Sequence, residues 1–176
     1  MSAGTSREAG QGSEGRVPHK PPPAQDEPRE LPCVTQFVVC DLPCSFPAVR
    51  PAADKPNPRV GIGKAVWSPD GQFLATRNDA QPGCVWLWSA ARLELASVVQ
   101  QDEAVQDMAW RLHDGQPRLA IVTGSARLYL WSAKGASCVL IPLPHFQAAS
   151  LRWNPAGTSL VLTDRLSGSF CCAYLA

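Results

Sequence analysis

Beyond residue 60 the chain reads as short apolar runs of five to seven residues, rich in Val, Leu, Trp and Tyr and broken by Gly, Pro, Asn, Asp and Ser. Runs of that length and composition predict strands rather than helices. Within Val85-Trp86-Leu87-Trp88, Trp86 and Trp88 share one face and Val85 and Leu87 the other, because side chains alternate across a strand. Apolar residues on both faces imply a strand covered on both sides, as in a sheet stacked between two others. Ser68-Pro69-Asp70-Gly71 and Asn154-Pro155-Ala156-Gly157 place Pro and Gly where tight turns need them.

The runs repeat. Trp67, Trp110 and Trp153 are spaced by 43 residues, and Trp88, Trp131 and Tyr174 by the same 43. This recurrence marks the aromatics as repeated core positions rather than a base-stacking or cofactor platform. Phe73–Thr76, Leu119–Thr123 and Leu160–Thr163 fill the middle of each unit, and a fourth run follows at Leu93–Val99 and Ser137–Leu143. Four antiparallel strands in about 43 residues have the length and content of a WD-type propeller blade. The third unit has strands near Ala148–Trp153, Thr158–Thr163 and Ser169–Tyr174 and lacks a fourth. Val34–Cys40 reads as one upstream strand. The predicted class is all-β, a partial WD-type β-propeller of about 2.75 four-stranded blades plus that strand. The expected blades run over about 60–102, 103–145 and 146–176. A closed propeller usually has about four to eight blades. The chain is therefore expected to be a partial product or isoform of a longer protein, or to complete itself by association.

Residues 1–32 hold almost no large apolar side chain and are expected to form a disordered Pro/Gly-rich tail. Its Pro18–Pro23 stretch is read as solvated tail rather than as an SH3 or WW ligand. Residues 33–59 combine the short strand with a connection stiffened by Pro43, Pro47, Pro51, Pro56 and Pro58, which excludes a helix or central strand there.

Several strings are more specific than the period. Asp54–Gly63 (DKPNPRVGIG) precedes the first blade. Phe73–Asp79 (FLATRND) leads to Val85-Trp86-Leu87-Trp88, and Arg118-Leu119-Ala120-Ile121 leads to Arg127–Ser132 (RLYLWS). Over roughly Val34 to Ala176 the chain resembles the C-terminal blades of one WD-repeat family, that of the centrosomal WD-repeat-containing protein eight. It departs from the general WD pattern at Trp88-Ser89 and Trp131-Ser132, where Trp-Asp is usual, and no Gly-His pair precedes either. The resemblance implies a scaffold at the centrosome, spindle pole or microtubule organising centre. It implies a coiled-coil centrosomal partner of the SSX-family-member-two-interacting type, indirect work on microtubule minus ends and spindle assembly, and a link to cilium formation. The alternatives are a WD-repeat adaptor in another intracellular complex, or a truncated isoform without independent function.

Composition narrows the function classes. Sixteen Lys and Arg balance fifteen Asp and Glu, for a net charge of +1, which argues against an electrostatic grip on nucleic acid. No apolar run approaches the length of a membrane span, and the N-terminus has no secretory pattern. Cys33, Cys40, Cys44, Cys84, Cys138, Cys171 and Cys172 are odd in number and lack a Cys-x-x-Cys pair. They therefore predict neither a disulfide framework nor a zinc site and fit a reduced cytoplasmic setting. His19, His113 and His145 fall in the tail and two expected loops, with no nucleophile and orienting acid pointed to beside them. Gly61-Ile62-Gly63-Lys64 is too short to cradle a phosphate, and Asp102-Glu103 reads as a polar loop. We expect no enzyme, cofactor or metal, and protein partners only. The candidate contact loops are Lys55 to Arg59, with Lys55 and Arg59 part of a modest basic cluster, and Arg77, Asn78 and Asp79 after the second strand.

Overall fold

Turn chemistry sets where the strands begin. The Ser68 hydroxyl donates to Asp70 (2.6 Å) and accepts from the Phe73 amide (2.9 Å), while Gly71 N–H closes on the Ser68 carbonyl. Gly71 sits at φ +70°, the left-handed region that glycine enters without cost. Asn154 repeats the device, accepting from the amides of Thr158 (2.8 Å) and Ser159 (3.0 Å), with Gly157 at φ +68°. Side-chain oxygens thus satisfy the backbone donors that a hairpin leaves open.

The computed structural model describes residues 37–41, 43–51, 54, 56–113 and 115–174. Three antiparallel meanders follow one another in sequence. Blade one is β1 (Ile62–Trp67), β2 (Phe73–Asn78), β3 (Cys84–Ser89) and β4 (Glu94–Gln100). Blade two is β5 (Asp107–His113), β6 (Gln116–Val122), β7 (Arg127–Ser132) and β8 (Gly135–Leu140). Blade three is β9 (Ala148–Trp153), β10 (Ser159–Asp164) and β11 (Phe170–Tyr174). The first strands run side by side, β1 against β5 and β5 against β9. The fold is thus a partial WD-type propeller. The expected tail over residues 1–32 lies outside the described residues.

Register assigns the faces. Across blade two, Trp110, Leu119 and Trp131 are paired neighbours, as are Met108, Ile121 and Tyr129. This first face packs on Ala75, Val85 and Leu87 of blade one, with Val99 and Val105 completing an apolar core. The opposite face carries Ala120, Val122 and Leu128, which meet Leu151, Leu160 and Leu162 of blade three in a second core with Ile141, Phe146 and Ala148. Burying each of the Val, Leu, Ile, Met and Phe side chains in these cores contributes about 1.5–3 kcal/mol. Blade two is therefore the middle of a sandwich, with its two faces serving two separate cores.

Two expectations are corrected. Phe37–Cys40, the described part of the expected upstream strand, joins no sheet. A strand needs a ladder partner, and none of the described strands pairs with it; Val38 and Val39 stand exposed and Phe37 alone packs inward, edge-on to Tyr129 at 6.1 Å. Tyr174 is not the third member of the Trp88, Trp131 series. In blade three Trp153 and Leu160 align with Ala173, while Tyr174 pairs with Ser159 and faces the other way, 80% exposed. Counting residues preserves the 43-residue spacing, but the hairpins of blade three are one residue shorter overall. A single-residue slip turns a side chain to the opposite face.

Candidate functional site

The described side chains show no reactive constellation. Among the described residues no three His, Cys, Asp or Glu side chains gather as a metal site would require. Burial pushes the Cys84 thiol above its ordinary value, which makes it less reactive. His145 lies exposed in the β8–β9 connection. A cleft of about 320 Å³ lies between blades one and two, with Phe73, Arg92, Ser97, Trp131 and Lys134 in its lining. What the structure builds most deliberately is the surface by which one sheet recognises the next.

That surface has a repeated polar fastener. β1 and β5 each have a ladder neighbour on one side only, so backbone groups on their free edges need other partners. The Trp110 indole N–H donates to the Val66 carbonyl at 3.0 Å, and the Trp153 indole N–H donates to the Ala109 carbonyl at 3.1 Å. Each tryptophan thus pins the residue just before its own counterpart in the preceding blade. Trp67 holds the same position in blade one, is 58% exposed, and its indole has no partner among the described residues.

A second fastener centres on Asp107. Its carboxylate accepts from Lys64 of blade one, and from the Leu151 amide (3.0 Å) and Arg152 guanidinium (2.9 Å) of blade three. One buried side chain therefore joins all three first strands. Burial raises the pKa of Asp107. The hydrogen bond from Lys64, then the Leu151 amide, the Lys64 charge and the Met108 amide, outweigh it and hold the carboxyl below the ordinary aspartate value. Sequence reading missed this group, although Lys64 and Asp107 are separated by the same 43 residues as the tryptophans. It also missed Arg111, which is 2% exposed, donates to the Gly157 carbonyl and lays its guanidinium 4.6 Å from the Trp153 ring centroid.

The six repeat aromatics therefore separate. Trp110 and Trp131 are buried at 8% and 6%, and Trp153 is half-buried against blade two. Trp67 and Trp88 are exposed because none of the described sheets stacks on that side of blade one. The result is an apolar first face on blade one, formed by Trp67, Leu74, Trp86 and Trp88. The last face of blade three is likewise open, with Val161, Phe170, Cys172 and Tyr174.

The expected contact loops divide too. Arg77 donates to the Val105 carbonyl (2.8 Å) and to Asp79 (3.0 Å), Asn78 accepts from the Ala80 amide, and the Asp79 amide bonds Gly61. These three side chains are half-buried, and the bonds given above for them are made within the fold, although the Arg77 Nε is buried without a partner. Arg59 is exposed, and Lys55 lies outside the described residues. No described contact brings Arg59 together with Arg77, Asn78 and Asp79.

No protein-family model matches the chain. It is 37% identical over 144 residues to the mouse WD repeat-containing protein WRAP73, an alignment covering 80% of this chain and 30% of the relative. Among solved structures, a chain of the mitotic checkpoint complex superposes with a TM-score of 0.51 at 18% identity, covering 65% of this chain and 36% of that one. At that identity the likeness concerns the fold alone. The chain thus matches roughly a third of the length of each of the two. No described helix is long and apolar enough to cross a membrane.

Proposed function

We propose that this chain, which belongs to the WD-repeat family, is a non-enzymatic scaffold for protein partners at the centrosome or spindle pole. The observation that carries the reading is the architecture. Sheets are fastened blade to blade by Trp110, Trp153 and Asp107, and among the described residues no sheet covers the apolar face at either end of the stack. Stiff scaffolds of this kind position loops and surfaces for recognition rather than for chemistry. The similarity to WRAP73 across 80% of the chain supports a shared role with such WD-repeat proteins.

The motif resemblance to the centrosomal protein-eight family supports the finer reading. The partner is a coiled-coil centrosomal protein of the SSX-family-member-two-interacting type, and through it the chain contributes to microtubule minus-end anchoring, spindle assembly and cilium formation. The exposed Arg59, with Lys55, supplies positive charge suited to acidic surfaces on such a partner. Proximity labelling with the full chain in dividing cells tests this. The reading predicts enrichment of a coiled-coil centrosomal protein and staining around the centrosome. Diffuse staining with no such partner overturns it, whereas enrichment of a different complex leaves the scaffold and removes the centrosome.

A further inference from the structure

The cleft between blades one and two has described strands on both sides. Its volume of about 320 Å³ falls at the lower end of the range of ligand pockets, about 300–1,000 Å³. Small residues make the space. Ala96, Ser97, Ala133 and Gly135 are in its lining. So are Phe73 and Trp131, which belong to the core between these blades and meet edge-on at 5.4 Å. A β-bulge falls at the same place. In blade one Leu87 pairs with Ser97 and Trp88 with Leu95, so Ala96 is the extra residue. In blade two Leu130 pairs with Ser137 and Trp131 with Ala136, with no residue left over. The blade plan therefore does not demand the bulge, and bulges recur where a strand re-aims side chains beside a site.

Charge narrows what the cleft can hold. Its lining carries two cations, Arg92 and Lys134, and no carboxylate. They stand in the turns of successive hairpins, β3–β4 and β7–β8. Arg92 pairs with Glu94 at 2.8 Å, but the two side chains are 66% and 56% exposed. Exposed pairs of this kind contribute little, so an incoming carboxylate can displace Glu94. Next to Arg92, Leu93 holds φ +53° and is 90% exposed. Bulky residues rarely adopt that conformation, and such strain gathers at binding sites. Leu93 belongs to neither core.

We propose that this cleft docks a short acidic peptide segment of a protein partner. An Asp or Glu carboxylate of the peptide sits between Arg92 and Lys134. A neighbouring apolar side chain fills the space beside Phe73 and Trp131, and a second packs on Leu93. A purely apolar peptide would leave both cations uncompensated, and a basic one would be repelled. The proposal rests on the scaffold reading and not on the centrosomal partner. Peptide binding by the purified chain and staining in cells therefore fail independently.

A random peptide library displayed on phage and selected on the full chain tests the proposal. The expected enrichment is for sequences with Asp or Glu beside Leu, Ile or Phe. Synthetic versions of the enriched peptides are then titrated by fluorescence anisotropy against wild type, Lys134→Glu, Arg92→Glu and Ala133→Trp. All three positions are exposed and outside both cores, and unchanged far-ultraviolet circular dichroism verifies that the variants fold. Each charge reversal is expected to weaken binding at least about tenfold, through lost attraction and new repulsion. Ala133→Trp leaves the charge alone and should weaken binding comparably by occupying the space. Replacing the peptide carboxylate with Lys should restore affinity for Lys134→Glu. A selection that enriches no acidic sequences overturns the proposal, whether it yields apolar peptides or none. So does an affinity that both charge reversals leave unchanged. Weakening by the charge reversals with none by Ala133→Trp also overturns it, because the peptide then reads surface charge outside the cleft.

Discussion

The same substitution at two equivalent positions separates the blade fastener from the tryptophan ring itself. Trp110→Phe removes the indole N–H that satisfies the Val66 carbonyl and shrinks a ring that is 8% exposed and packed edge-on to Trp131 at 5.8 Å. Losing the hydrogen bond and leaving the carbonyl in a nearly dry junction costs about 1–2 kcal/mol. The smaller ring adds about 1 kcal/mol. The expected total is about 2–3 kcal/mol, or a fall in Tm of roughly 5–10 °C for a domain of this size. Trp67→Phe changes the same atoms where the ring is 58% exposed and the indole has no described partner, so it should cost less than about 0.5 kcal/mol. Urea unfolding followed by far-ultraviolet circular dichroism provides the comparison. Equal costs at the two positions, or a neutral Trp110→Phe, would refute the assignment of this bond as a fastener between blades.

Three further outcomes follow from the geometry. Asp107→Asn should cost about 1–3 kcal/mol at neutral pH, because it weakens contacts to Lys64, the Leu151 amide and Arg152 together. The folded carboxyl lies below the unfolded value of about 3.9. Its stabilisation is therefore complete above that pH and lost as pH falls through the folded value, so urea midpoints measured from neutral to acid pH should converge for wild type and variant. Gly157→Ala should destabilise more than Gly71→Ala in thermal melts. Both sit at positive φ, but a Cβ on Gly157 would lie 3.0 Å from the Leu112 carbonyl, whereas one on Gly71 meets nothing within 4 Å. Leu162→Ala, which opens a cavity between blades two and three at a side chain only 1% exposed, should cost about 2–5 kcal/mol in denaturant titration.

The strands were legible because each carries its own evidence. An apolar run of the right length bounded by Ser-Pro-Asp-Gly or Asn-Pro-Ala-Gly needs no distant partner to be recognised, and β9 over Ala148–Trp153 falls where the pattern puts it. The alternation of apolar residues on both faces was legible for the same reason, but in β3 only the Val85 and Leu87 face is covered by a described sheet, and Trp88 on the other face is 39% exposed. What depends on partners was not. Tyr174 keeps the sequence period and loses the register, because hairpin lengths, rather than residue counts, decide which face a side chain takes. Asp107 and Arg111 looked like ordinary polar residues, since their partners lie 43 to 46 residues away on other blades. Applying the period to polar positions as well as to tryptophans would have placed Lys64 and Asp107 together. The loop Arg77-Asn78-Asp79 looked available for recognition, yet its side chains bond to Val105 and to one another's neighbours within the fold.

Two inter-blade cores on either side of blade two hold the stack together, while among the described residues no sheet covers either outer face. Native-state hydrogen exchange of the chain checks this arrangement. The arrangement predicts the slowest exchange in β6 and β7, whose residues Leu119, Ala120, Ile121 and Leu128 are at most 1% exposed and serve both cores. It predicts the fastest exchange among the strands in β11, an edge strand with Phe170 and Tyr174 in the open. Protection of β11 equal to that of β6, or a middle blade that exchanges before its neighbours, would contradict it.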